Sequence, residues 1–290
     1  MEPGGDACDR STRLRAAWAV AWRTVAFVVL WGVLAAPALL PLARRLGETR
    51  DLAYGRLHLM VEAAVGAALL VASLVMARLV DRRKPVRLGL SAAHLPQDLA
   101  AGVLCGALWL AASLLPLGLL GNLEVAPAGS LVWRAVGTGL AVTAVNAFTQ
   151  ELLVHGYLFQ VARRAWGGLP ALVATSLLNV ALHAPAVHGD WLAALNLFLA
   201  AAVFGLGLLR TGGLWFPAAA HFTWNGLVGP ALGLVLSGRA DLGVPWRLLS
   251  LRGPAVLTGG RFGVEASVVT TLATLSAVAA LAGWRGRRQP

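Results

Sequence analysis

The chain has 290 residues, 58% hydrophobic and only 13% charged, with a mean hydropathy of +0.72. A soluble domain is nearer 45–50% apolar and ~25% charged, so this composition excludes an ordinary soluble globular protein and indicates a polytopic membrane protein. The formal charge of +11 is almost all arginine, with Lys84 the single lysine; these charges fall between apolar runs, and no basic helix or aromatic–basic platform for nucleic acid accompanies them.

In chain order, the apolar runs predict about eight transmembrane helices, at roughly 22–43, 57–79, 98–120, 131–146, 169–183, 191–209, 214–236 and 262–284. The first is too long for the apolar core of a signal peptide and no small-residue cleavage site follows it, so it reads as a span. After the second, the basic run 81–87 leads into an amphipathic stretch, 88–99, expected to form a helix lying on the membrane surface. The fourth is expected to continue as a helix through Gln150 and Glu151 to about Arg164, with Gly156 the only breaker. The fifth is short for ~30 Å of hydrocarbon and is expected to be buried in the bundle.

A loop with four arginines, 237–261, precedes the last span. Cys8 in a polar tail and Cys105 in an apolar span cannot make a disulfide framework. Trp18, Trp22, Trp191 and Trp284 suit interface anchors. Loop charge, above all the run at 82–87 and the tail arginines 285–288, favours both termini in the cytoplasm. The expected architecture is all-α. Its parts are an N-terminal membrane region with tail, three spans and interfacial helix (1–130), a core (131–236), and a loop with the last helix (237–290).

Within that apolar background stand three polar clusters: Gln150-Glu151 with His155, Asn179 with His183, and His221 with Asn225. Ionisable groups inside a membrane cost about 2.5–3.5 kcal/mol each on insertion scales, and usually face a bundle interior or wet cavity where they serve a function. Glu151 and His155 are four apart and share a helix face, as do His221 and Asn225. Carboxylate and imidazole can activate water, and imidazole or amide N–H can stabilise an oxyanion. Two histidines, His183 and His221, with a carboxylate and water would also suit zinc. Taken singly, Glu151–His155 reads equally as a neutralised structural pair, His183 as a span end, and His221–Asn225 as interhelical glue. His58 and His94 look peripheral, and His188 a solvated loop residue.

The run from Gln150 to Gln160, QELLVHGYLFQ, resembles the first motif of the CPBP intramembrane protease family, Glu-Glu-x-x-x-Arg followed by Gly-Tyr-Leu. That family includes the CAAX prenyl endopeptidases and bacteriocin-immunity relatives. Asn179 to His183 is similar to the second motif, Phe-x-x-x-His, and His221 to Asn225 to the third, His-x-x-x-Asn. The resemblance covers about residues 141–229. It implies an endopeptidase that hydrolyses a peptide bond near the membrane face by activated water, in the inner or plasma membrane of a bacterium. Its partners would be the lipid bilayer and a membrane-associated peptide or protein substrate, with no nucleic acid.

The implied catalytic residues are Glu151, His183, His221 and Asn225, with Gln150, His155 and Asn179 supporting them. His183 and His221 are also the residues that could hold zinc. Three positions depart from the pattern: Gln150 stands where the water-activating glutamate is expected, His155 where the arginine is, and Asn179 where the phenylalanine is. A carboxamide is not a base. Glu151 is therefore expected either to take the base role or to pair with His155. The alternative is a weak or inactive relative acting as a membrane binding, immunity or regulatory protein.

Overall fold

The computed structural model describes residues 4–48, 55–82, 86–130, 133–239 and 247–286. Arg83 and Lys84 of the basic run, Leu131 and Val132 at the start of the expected fourth span, residues 240–246 of the expected loop, and the tail arginines Arg287 and Arg288 lie outside them. The elements, in order, begin with α1 (Gly4–Glu48), α2 (Arg56–Val75, prolonged by a π turn, Met76–Val80), α3 (Leu95–Leu119) and strand β1 (Leu123–Ala128). There follow α4 (Trp133–Glu151), a π turn (Leu152–Tyr157), α5 (Leu158–Trp166), α6 (Gly168–Leu182) and the one-turn α7 (Ala184–Val187). The chain continues with α8 (Trp191–Thr211), α9 (Trp215–Gly226, then a π turn, Leu227–Ala231), β2 (Arg247–Leu251), α10 (Ala255–Thr258) and α11 (Val268–Gly283).

Against about eight expected spans, four helices among the described residues are long and apolar enough to cross a bilayer: α1, α2, α3 and α8. Helices α6 and α11 are apolar but shorter. The differences have local causes. The run 214–236 breaks after the 12 residues of α9 into a π turn containing Pro230. The last helix starts at Val268 because the chain first passes Gly263, at φ +95°, and a short 3-10 turn, Val264–Ala266.

The expected helix from 131 to 164 is present but not continuous. Gly156 leaves helical geometry (φ −79°, ψ −117°) and kinks the path inside the π turn. Such insertions often occur at functional sites.

Two further expectations need correction. Residues 86–94 form no interfacial helix, and the helix starts only at Leu95. Val86 and Leu88 are buried in the bundle instead, and the carbonyl of Gly89, a residue at φ +76°, accepts from the Leu214 amide at 2.9 Å. The all-α picture also gains a small antiparallel ribbon in which Leu123 pairs with Leu251, Glu124 with Ser250 and Val125 with Leu249. Arg252 and Glu124 close it with an exposed ion pair at 2.9 Å.

Close approach of helices fixes where the polar residues go. Helix α9 lies in a groove of α3 made by glycine: a Cβ on Gly106 would stand 2.6 Å from the Ala220 carbonyl, and one on Gly102 would strike the Phe216 carbonyl. Helix α2 meets α4 at Gly66, where a Cβ would be 2.5 Å from Thr149 Oγ1. Farther along, Asp81 at the end of the α2 turn meets Tyr157, so α2 and α4 run in the same sense. Trp109 of α3 packs on Trp224 of α9 with ring centres 4.3 Å apart, inside one of the two large apolar clusters.

Candidate active site

The last turn of α4 and its π turn present Glu151 and His155 on one face, as their spacing predicts. Glu151 Oε2 lies 2.7 Å from His155 Nδ1, and its other oxygen, Oε1, lies 2.8 Å from His221 Nδ1 on α9. Both carboxylate oxygens are thus engaged, and the group is 3% exposed. A carboxylate can only accept, so each imidazole donates its Nδ1–H to it. That leaves Nε2 as the remaining functional nitrogen of His221. The His221 ring is stacked on Phe204, 4.9 Å between centres and 12° from parallel.

A cavity of about 310 Å³ lies beside this pair. His183, His221, Asn225, Gln150 and Asn179 all line it. Glu151 does not; it stands behind His221, which covers it. The expectation that Glu151 would itself face the pocket is corrected on this point, because two imidazoles close over its oxygens. His155 is more deeply enclosed, 1% exposed, with Nε2 lacking a hydrogen-bond partner. Gly205 of α8 makes room for it, since a Cβ there would stand 3.1 Å from that nitrogen.

His183 caps the C-terminus of α6, its Nδ1–H donating to the Asn179 carbonyl at 2.9 Å. A carbonyl cannot donate, so the same tautomer follows as for His221, with Nε2 remaining. The Asn179 amide donates to the Leu197 carbonyl at 3.0 Å and ties α6 to α8, a use of asparagine that a phenylalanine could not serve. Gln150 donates from Nε2 to Asn146 Oδ1 at 2.7 Å, one turn back on α4.

Residues 132–227, from α4 to the end of α9, match the family model described as Type II CAAX prenyl endopeptidase Rce1-like. That match, over about a third of the chain, supports a place in the CPBP family for this stretch. The CPBP family is a protease family, and the apolar helices of the chain support an integral membrane protein. No curated protein and no solved structure matches the chain.

Outside the matched stretch, the chain brings further ionisable groups to the cavity wall. His58 and Glu62 come from α2, with His58 Nε2 3.4 Å from Glu62 Oε1. The signal is present in the sequence, a histidine and a glutamate four apart inside an apolar span with the same spacing as Glu151–His155, and the expectation that His58 is peripheral is corrected by its place on the cavity wall. Glu265 reaches the cavity from the 3-10 turn before α11, outside the spanning helices, its Oε2 accepting from the Ser237 amide at 2.5 Å and hydroxyl at 2.9 Å. Burial pushes the Glu265 carboxyl above the ordinary glutamate range, although Ser237 and Trp224 donate to it and pull the other way. No sequence pattern marks it.

Zinc does not fit. Catalytic zinc takes three protein ligands, and the described residues contain no group of three or more His, Cys, Asp or Glu placed to share an ion. His183 and His221 supply two nitrogens and no third donor of that set joins them.

Proposed function

We propose that the protein is an intramembrane endopeptidase, hydrolysing a peptide bond near the membrane face with water activated by His221. The observation that carries this reading is the 2.8 Å contact between Glu151 Oε1 and His221 Nδ1, which leaves Nε2 as the acceptor nitrogen of an imidazole that lines the same cavity as His183 and Asn225. In this mechanism His221 Nε2 takes a proton from water as the oxygen adds to the substrate carbonyl carbon. The imidazolium so formed is stabilised by Glu151, which stays ionised, as the acid member does in a hydrolytic triad.

The Asn225 amide donates to the oxyanion of the tetrahedral intermediate, with Gln150 placed to orient water or substrate. As the C–N bond breaks, His221 returns its proton to the leaving amine. His183, set by Asn179, holds the attacking water through its own Nε2. In this mechanism Glu151, expected as the base, is a positioning residue that acts through His221. The substrate is a membrane-associated peptide or protein, and prenylation is not part of the proposal.

The test is cleavage of a membrane-embedded reporter by the purified protein. Replacing Glu151 by Gln should lower the rate by about 10²–10⁴, while helicity and membrane insertion stay unchanged. Full activity in that variant refutes the dyad. One observation favours a second reading, a non-catalytic relative that binds a partner through the same cavity: Gln150 occupies the first motif position with a group that cannot take a proton. A silent wild type that begins to cleave when Gln150 is changed to Glu decides for that reading.

A further inference from the structure

Asn146 lines the same cavity as the histidines and has no part in the hydrolysis proposed above. It stands one turn before Gln150 on α4. Val142, Thr143, Asn146 and Gln150 all reach the cavity, as residues three and four apart on one helix face do. The two carboxamides are joined at 2.7 Å, Gln150 Nε2 donating to Asn146 Oδ1. Among the described residues neither side chain makes another hydrogen bond, and both are half-buried. A carboxamide has an oxygen that accepts and two N–H groups that donate. Their mutual bond therefore leaves the Gln150 oxygen and N–H groups on both residues for the cavity. Turning both amides end for end exchanges the roles and leaves the same set, an acceptor beside donors.

Asn196 on α8 is a contrasting case. It lines the same cavity, but its Nδ2 donates to the carbonyls of Glu265 and Ser267, and its Oδ1 accepts from the Thr271 hydroxyl. That amide ties α8 to the start of α11, whereas the α4 pair is bonded only to itself. What the pair receives follows from the demands of hydrolysis in a membrane. A helical substrate keeps its backbone N–H and C=O groups in its own hydrogen bonds, and its scissile bond is reached only after local unwinding. Each group so released is costly in an apolar surrounding until a partner receives it. In an extended segment the N–H and C=O of one residue point to the same side, as they do in a β ladder. An adjacent acceptor and donor match that residue. The pair also stands beside the reacting groups, since Glu151, next in the chain, holds His221 at 2.8 Å.

We propose that Asn146 and Gln150 together bind the backbone N–H and C=O of one residue of the unwound substrate, close to its scissile bond. The carboxamide oxygen accepts the substrate N–H, and a carboxamide N–H donates to the substrate carbonyl. Recognition is of the extended backbone and not of a particular side chain. The inference rests on the hydrolytic reading, and it makes the amide at position 150 a substrate-binding group where a base is expected.

The experiment measures binding and cleavage of one membrane-embedded reporter peptide by the whole protein in detergent. Each backbone N–H of the reporter's central segment is replaced in turn by an ester oxygen, which keeps the shape of the chain and removes one donor. In the wild type, one ester position should weaken binding about tenfold, as expected for one lost hydrogen bond. Asn146→Ala should weaken the all-amide reporter by a similar factor, and the same ester should then cost little more, because the receiving pair is already broken. KM should follow binding while kcat changes far less. Gln150→Ala repeats the comparison if Asn146→Ala does not fold. Thr138→Ala, at a hydroxyl that donates to the Arg134 carbonyl within α4 and does not line the cavity, should behave like the wild type. Undiminished affinity in Asn146→Ala overturns the proposal, as does an ester penalty of equal size in wild type and variant, or a wild type that binds no reporter. A wild type that binds with the expected pattern and cleaves nothing refutes the hydrolytic reading alone. Normal cleavage with no ester effect at any position refutes the backbone contact alone.

Discussion

Two glutamate–histidine pairs sit on neighbouring helices that run in the same sense, and they have opposite fates. Glu151 and His155 on α4 meet at 2.7 Å and are sealed, 3% and 1% exposed at their side chains. His58 and Glu62 on α2 meet at 3.4 Å and remain partly open, 13% and 17%, on the cavity wall. Their spacing is identical, so helix periodicity treats them alike. A third helix makes the difference. His221 from α9 closes on Glu151, and Gly205 of α8 lets the His155 ring come in behind. The α2 pair stands on the cavity wall instead, and α2 is held to α4 one turn on, at the Gly66–Thr149 contact. A buried carboxylate that orients another group and a carboxylate exposed to a cavity thus arise from the same local pattern.

The comparison can be broken most forcefully at its sealed member. Replacing Glu151 by Leu strands two imidazoles that it now partners, and removing one side of a buried ion pair costs about 3–5 kcal/mol. The variant should unfold at clearly lower temperature or denaturant, and unchanged stability means the pair is not what seals α4 to α9.

Next in size is Gly205→Val. A side chain there meets His155 and the Leu172 side chain, and overpacking of this kind costs about 1–3 kcal/mol. Both stability and reporter cleavage should fall. Retained cleavage in a destabilised protein separates the His155 contact from the chemistry.

Glu62→Gln should be milder. It pairs with His58 at 3.4 Å, and partly exposed pairs of this sort are worth about 0–1 kcal/mol. Thermal unfolding should barely move and cleavage should drop far less than in Glu151→Gln. A loss as large as that of Glu151→Gln transfers the base role to the α2 carboxylate.

The smallest effect is expected from Gln150→Glu, which adds a carboxylate to a wall that already has Glu62. Activity should stay level or decline slightly as like charges crowd one cavity. A large gain contradicts the dyad as the sufficient base.

Much of the site was legible because its information is local. His183, His221, Asn225, Gln150 and Asn179 were all identifiable from ionisable or amide residues set in apolar runs, and all of them line one cavity. Glu151 was legible as a residue and not as a position, since its distance from the cavity depends on which helix packs over it. Glu265 left no trace in the pattern, because it comes from a loop and is aimed by the Ser237 amide. The ribbon of β1 and β2 was missed for a related reason: it pairs Leu123 with Leu251, and nothing near either strand announces a partner so far along the chain.

The sequence by itself determined that this is a helical membrane protein, that its polar residues recur with helical spacing, and that its first motif has a carboxamide where a base is expected. Composition and periodicity carry those conclusions, since they depend on single residues and on one turn of one helix. Only the tertiary structure decided that Glu151 contacts His221 and does not line the cavity, that the α2 histidine–glutamate pair reaches the cavity wall, and that Val86, Leu88 and Gly89 pack toward Leu214 where a surface helix was expected. Those outcomes rest on how closely helices approach, which is set by glycines such as Gly66, Gly102, Gly106 and Gly205 meeting particular atoms of distant segments. Close packing of that kind is a property of pairs of surfaces, and no single segment contains it.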